Sequence, residues 1–441
     1  MQFSHTLDRV AVAFDDHRLI DHAGLLLPAT LAAHLGLREL VDRHVDLGQA
    51  PGRANAGDKL LTLVASVLAG GDCIDDANAL RAGGTGAVLG HPVKAPSTLG
   101  TFLRSFRWGH VRQLDAVSRA LLARAWAAGA GPGAAPCTID LDSTICETYG
   151  LTKEGGSQHT YTHVRGYHPL LAVAAGTGDI LHARLRGGNA NSGRGAANFL
   201  AETIERVRDA GATGELTVRA DSGFYAHAVV AAARKRRVRF SITIRQSPAT
   251  RRVIEAIPEA AWTPIPYWLE GGADVAETTY TPFASERDAA PFRLIVRRVR
   301  PTPGSQLALF ATYDYHAFIT DRDGDTLTLE ADHRRHAEIE NAIRDLKYGV
   351  GLNHLPSGKF GANGAWLAIQ VIAHNLARWT ARIGLGAGIV TTKTLRRRLF
   401  GLPGRLTRSA RRLTLHLPAR WPWALPFATA LSRLRAPPLL A

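Results

Sequence analysis

The feature that most constrains this chain is a change of period. Up to about residue 130 the apolar residues recur at helical spacing, over 28–37, 59–68, 99–106 and 111–126. A linker, Ala-Gly-Ala-Gly-Pro-Gly at 128–133, breaks that pattern. From Cys137 the residues alternate instead. Ile139, Leu141 and Ile145 fall on one face, and Asp140, Asp142 and Thr144 on the other, which predicts a half-buried strand.

Alternation and helical spacing then trade places in a fixed order. Strands are predicted over 168–175 and 180–186, joined by the turn Gly176-Thr177-Gly178-Asp179. A helix over 196–209, a strand over 215–221, a helix over 226–236 and a strand over 238–244 follow. The order β-β-β-α-β-α-β predicts an α/β fold, a hairpin-started sheet completed by parallel crossovers. Residues 248–331 read as a separate, mainly β segment, with strands over 276–282, 292–300, 307–319 and 326–330. Helical spacing returns over 332–348 and 365–383. The expected units are an N-terminal helical domain at 1–130, a first core part at 131–247, a β-rich insertion at 248–331, a second core part at 332–385 and a basic tail at 386–441.

Charge is distributed as unevenly as period. Of the 53 Lys and Arg residues, 15 lie beyond Asp345, where there is no acid at all. The first 345 residues therefore carry 38 basic against 38 acidic groups, and the whole net charge of +15 is C-terminal. An excess so placed favours a polyanion, most often nucleic acid. A hydrophobic fraction of 46% with 21% charged residues excludes a mostly disordered chain. No apolar run reaches the roughly 18 residues of a membrane span, so no membrane is expected. The opening residues carry acids where a secretion signal is apolar, and three scattered cysteines suit a reducing cytosol.

Three acids stand out by position: Asp142 (with Asp140 beside it) on the first strand, Asp221 at the end of the fourth, and Glu340 in the 332–348 helix. Strands one and four can lie side by side, so the two aspartates can meet, with a helix supplying the glutamate. Three carboxylates converging without cations repel and must bind metal or protons. Mg²⁺ takes oxygen ligands, and two ions about 3.5–4 Å apart clamp the attacking and leaving oxygens of a phosphodiester. Read singly, each acid has a plainer role: a strand edge, a turn before Ser222-Gly223, or an i,i+4 pair with Arg344. On a straight helix His333, His336, Glu340, Arg344 and Lys347 share one face, which suits a metal-bound phosphate backbone. A zinc site from His333, His336 and Glu340 lacks the HExxH spacing.

The stretches IDLDST, VRADSGFY and HRRHAEIENAIRDLKYGVGLNHLPSGKF carry a family resemblance. The chain resembles bacterial insertion-sequence transposases of the DDE class, in the branch whose glutamate helix bears the signature Y-x2-R-x3-E-x6-K. The resemblance spans roughly residues 10–420. It implies an RNase H-like mixed sheet flanked by helices, interrupted by a β-rich insertion before the glutamate. Asp142, Asp221 and Glu340 would be the catalytic and metal-binding triad, with Asp140 an alternative first aspartate. The cofactor would be two Mg²⁺ ions, with Mn²⁺ as a substitute. Lys347 matches the signature lysine, whereas His333 and His336 stand where tyrosine and arginine are usual, with Arg335 next door. Implied DNA contacts are His333, Arg335, His336, Arg344 and Lys347, a base-stacking aromatic in the insertion (Trp262 or Trp268, with Tyr267 beside it), and Arg396, Arg397 and Arg398 of the tail. Residues 98–107 are a candidate recognition helix. The implied activity is cut-and-paste movement of an insertion sequence by a cytoplasmic, nucleoid-associated prokaryotic enzyme. It would act as a homodimer on terminal inverted repeats and target DNA. A nuclease of the same fold without strand transfer, and a decayed DNA-binding protein, are the rival readings.

Overall fold

A computed structural model describes residues 7–150, 153–160, 162–301 and 313–436. The strand Leu19–Ile20 (β1) precedes an α-helical body built from Leu26–His34 (α1), Leu37–His44 (α2), Ala56–Ala69 (α3), Pro96–Arg104 (α4) and Trp108–Ala125 (α5). Helix α4 starts at its proline, which occupies a first-turn position where no N–H partner is needed.

The central sheet follows the predicted order, with strands up to three residues shorter at an end. Its first members are Cys137–Ser143 (β2), Leu170–Ala174 (β3), Ile180–Arg184 (β4), Leu216–Ala220 (β5) and Arg239–Thr243 (β6). The crossover helices are Ala196–Asp209 (α6) and His227–Lys235 (α7). Strands β5 and β6 are parallel to β2 and to each other in sequence, and β3 and β4 run antiparallel on the other side.

The segment expected to stand apart does not. Beyond the helix Pro248–Glu255 (α8), the strands Thr263–Ile265 (β7), Ala273–Tyr280 (β8), Phe292–Val299 (β9) and Asp314–Thr320 (β10) extend the same sheet. Strand β10 pairs with β6, giving one nine-stranded sheet in the order β7-β8-β9-β10-β6-β5-β2-β3-β4. The strand expected over 307–319 falls partly outside the described residues.

One expectation fails in type. Residues 326–330, read as a strand from the alternation in Thr-Leu-Thr-Leu-Glu, open the helix Thr326–Arg334 (α9). Asp325 is its N-cap, accepting from the Thr328 amide at 2.9 Å. A 3₁₀ turn over Arg335–Glu338 links α9 to Ile339–Arg344 (α10). At about 120° per residue against 100°, those four residues swing the later face by roughly 80°, so the single face expected for His333 through Lys347 is broken.

The helix Phe360–Trp379 (α11) is buried on nearly every side and joins the α-helical body to the sheet. Its Asn375 accepts from the Ile180 amide and donates to the Ile180 carbonyl, both at 2.8 Å, which satisfies part of the β4 edge. The C-terminal segment is folded rather than a loose tail. Strands Gly404–Ser409 (β11) and Arg412–His416 (β12) form a hairpin that pairs with β1. The helix Ala424–Arg435 (α12) buries Ala430 and Leu434 beside Gly384. Among the described residues no single helix is long and apolar enough to cross a membrane.

Candidate active site

The site begins with an ion pair, not with the carboxylates. Asp140 of β2 lies opposite Arg219 of β5, and the two bond bidentately at 2.8 and 2.9 Å with both side chains buried. Arg219 also reaches the carboxylate of Asp332 on α9 at 3.2 Å. His336 donates to Asp140 at 3.1 Å. These contacts seat the α9–α10 segment over the face of the sheet that carries Asp140.

The three acids follow from that anchor. Asp142 is two residues beyond Asp140, and Asp221 two residues beyond Arg219, so both side chains leave the same face of adjacent parallel strands. Glu340 is four residues beyond His336. The 3₁₀ turn over Arg335–Glu338 takes up the start of that step, and Glu340 comes near enough to Asp142 to raise its pKa. Ile339, Ala342, Ile343 and Leu346 bury the inner face of the glutamate segment. Asp345 pins its end, accepting from the Thr392 amide at 2.9 Å and from Arg378 at 3.3 Å.

The electrostatics agree with this placement. Burial pushes the Asp142 carboxyl up, and the Asp221 and Glu340 carboxylates add to the shift. The Ser143 amide and His336 oppose it, and the net value is about 6. Among the described residues Asp142 accepts from the Ser143 amide at 2.6 Å, and Asp221 from the Gly223 amide at 2.9 Å. Among the described residues neither they nor Glu340 form an ion pair. Below them Ser143 bonds to His168 at 2.8 Å and to Ser192 at 3.0 Å, which steadies the end of β2.

Asp140, by contrast, has both oxygens committed to Arg219 and is a poor first ligand. Sequence reasoning missed Arg219. Its signal was there: an arginine on a central strand whose only buried counter-charge is an aspartate on the neighbouring one.

Several expected DNA contacts are placed elsewhere. Both ring nitrogens of His333 are used, by Ser241 at 2.7 Å and Thr243 at 3.0 Å, and the ring stacks on Phe318 at 4.0 Å. His333 is thus a packing residue. His336 serves Asp140. Arg335 is exposed but paired with Glu338 at 2.9 Å. Arg396 is turned inward and caps the end of α3, donating to the carbonyls of Leu68 at 2.7 Å, Val67 at 3.0 Å and Gly349 at 2.6 Å. Trp262 is half-buried beneath the Arg298 guanidinium, 4.3 Å from its ring centre. Trp268 is 80% exposed. Arg344 and Lys347 follow Glu340 in the chain and enter no ion pair among the described residues. Arg397 and Arg398 are exposed. In the candidate recognition helix α4, Leu99, Phe102 and Leu103 are buried in the core.

Among the described residues two other groups of ligand-type side chains lie close together, and neither is suited to a cation. Asp115, His182 and Glu202 lie together, but Arg206 holds Asp115 at 2.7 Å and Arg184 and Arg112 hold Glu202 at 2.6 and 2.9 Å. Burial pushes His182 down to about 4, so its ring is neutral there. Three guanidiniums already balance the two carboxylates. In the other group, Asp72, Cys73 and Asp76, the Asp76 carboxylate is occupied as the acceptor of a turn.

A family model described as Transposase DDE domain group 1 matches residues 4–439. The chain belongs to this family. It is therefore a DNA transposase, of a family that works with divalent metal. No curated protein matches the sequence. Among solved structures the transposase is similar to the piggyBac transposase synaptic complex with hairpin DNA, determined by cryo-electron microscopy. The two are 11% identical, with a TM-score of 0.46 over 86% of this chain and 80% of that chain.

Proposed function

We propose that Asp142, Asp221 and Glu340 are the metal-binding carboxylates of this transposase. We propose further that two Mg²⁺ ions, replaceable by Mn²⁺, are its cofactor. The observation that carries the reading is the unbalanced charge: three carboxylates from three elements, none in an ion pair among the described residues, with Asp142 raised to about 6 chiefly by burial and further by the other two. The donor set is all oxygen, which suits a hard cation.

A bound pair of divalent ions would neutralise charge on the attacking and leaving oxygens of a phosphodiester. The chain's own groups do the placing. Asp142 is the most buried of the three, whereas Asp221 and Glu340 are exposed. Arg344 and Lys347 are free to hold the phosphates on either side of the cleaved bond. Cleavage would expose 3′-OH ends, and their attack on target DNA would complete cut-and-paste movement of an insertion sequence. In this reading a homodimer holds the terminal inverted repeats in a prokaryotic cytoplasm, at the nucleoid. Arg397 and Arg398 supply further phosphate contacts, and exposed Trp268 remains the better placed of the two tryptophans for stacking.

The test uses DNA carrying the ends of its own element. Asp142→Asn, Asp221→Ala and Glu340→Gln should each slow Mg²⁺-dependent cleavage at least about a hundredfold, the scale of one lost preorganised charge contact. Binding of the same DNA without metal should persist. Wild-type rates in Asp221→Ala would end the assignment. Pre-cut ends separate the rival nuclease reading: strand joining supports a transposase, and its absence with normal cleavage supports a nuclease.

A further inference from the structure

A cluster of uncompensated positive charge outside the carboxylate site sits on the β11–β12 hairpin. Its root is fixed. Leu406 and Leu415 oppose each other across the ladder and pack with Ile20 and Ala23. At the same level Arg405 is neutralised by Asp16 at 3.2 Å. Past that rung the hairpin leaves the body of the molecule, and every residue from Arg408 to Leu413 is exposed. Arg408, Arg411 and Arg412 lie on this projecting part and enter no ion pair among the described residues. Beside the root, Trp421 donates to the Arg398 carbonyl at 2.9 Å, so exposed Arg420, Arg397 and Arg398 continue the basic surface.

Three guanidiniums on two adjoining rungs and a two-residue turn repel one another, and a polyanion relieves that repulsion. The shape narrows the choice of polyanion. Two strands stand about 4.8 Å apart, and the projecting rungs and turn extend about 7–10 Å. The major groove of duplex DNA is about 12 Å wide and 8.5 Å deep, and it admits a two-stranded ribbon. Helix α4 turns Leu99, Phe102 and Leu103 into the core.

We propose that the β11–β12 hairpin is a duplex-DNA-binding ribbon, seated in the major groove with Arg408, Arg411 and Arg412 on the flanking phosphates. The identity of the partner rests on the chain's being a DNA transposase; the site itself is independent of the carboxylate triad.

The experiment keeps the two apart by excluding metal. The full chain is titrated onto labelled duplex DNA in EDTA, between about 50 and 200 mM salt. Arg408→Ala/Arg411→Ala/Arg412→Ala should bind more weakly than the wild type. The slope of log affinity against log salt should fall by about 2.7, or 0.9 for each lost phosphate contact. A major-groove ligand such as methyl green should displace the wild type, and the minor-groove ligand netropsin should not. Unchanged affinity and slope overturn the proposal, as does displacement by netropsin alone. If the substitutions instead alter the sedimentation of the DNA-free chain and leave the salt slope alone, the hairpin is a contact between copies and the proposal fails. All three side chains are exposed, so the melting temperature should not move. Should it fall, the Arg→Gln set repeats the slope measurement. Asp221→Ala, run alongside, should bind as the wild type does even if it cannot cleave.

Discussion

A carboxylate that is partly buried and close to two others holds its proton longer than an isolated one. For Asp142 the folded value of about 6 lies above the roughly 3.9 of an unfolded chain. Between those values the folded state binds more protons, so the stability this group lends is complete below about pH 4 and is lost as pH rises through 6. Asp142→Asn removes the repulsion without removing the shape. Without metal, it should melt above the wild type at pH 7, and the gap should close towards pH 4. Mg²⁺ should narrow the gap at pH 7 by stabilising the wild type alone. Parallel melting curves for the two proteins across that range would mean that the three acids do not feel one another.

A balanced ion pair ties elements together. The Asp140–Arg219 pair joins β2 to β5, and Asp332 and His336 extend it to the segment that carries Glu340. Breaking one partner of a buried pair leaves an unpaired buried charge and costs about 3–5 kcal/mol. Asp140→Ala and Arg219→Met should each lose that much in urea unfolding. A Leu–Leu replacement of both should recover most of it, and a double-mutant cycle with no coupling would contradict the ladder contact. At this scale the sequence was a good guide where one period dominated, as in the strands and crossover helices around the site. It misled where two signals competed. Thr-Leu-Thr-Leu-Glu alternates like a strand, but the Asp325 cap and the packing of Leu329 make it helical. The 3₁₀ turn after α9 leaves no mark in residue type, so the face of His333 and His336 could not be foreseen. Arg396 looked like its neighbours in a run of arginines, and only the fold reveals that it meets three carbonyls.

For the whole molecule, the acids were legible because chain order alone limits which strands adjoin. What was not legible depends on distant contacts. Strand β10 pairs with β6 across an insertion that composition marked as separate, and β11 pairs with β1 across nearly the full chain. The same long-range closure leaves the basic hairpin projecting while the rest of the C-terminal segment packs down. In the proposed site, three carboxylates from β2, the end of β5 and α10 together hold divalent ions against DNA. Counting Mn²⁺ bound to the protein–DNA complex by electron paramagnetic resonance tests it directly. Two ions per chain in the wild type, and loss of both in Asp142→Asn with DNA still bound, is the predicted result. An unchanged count in Asp142→Asn, Asp221→Ala and Glu340→Gln would contradict it.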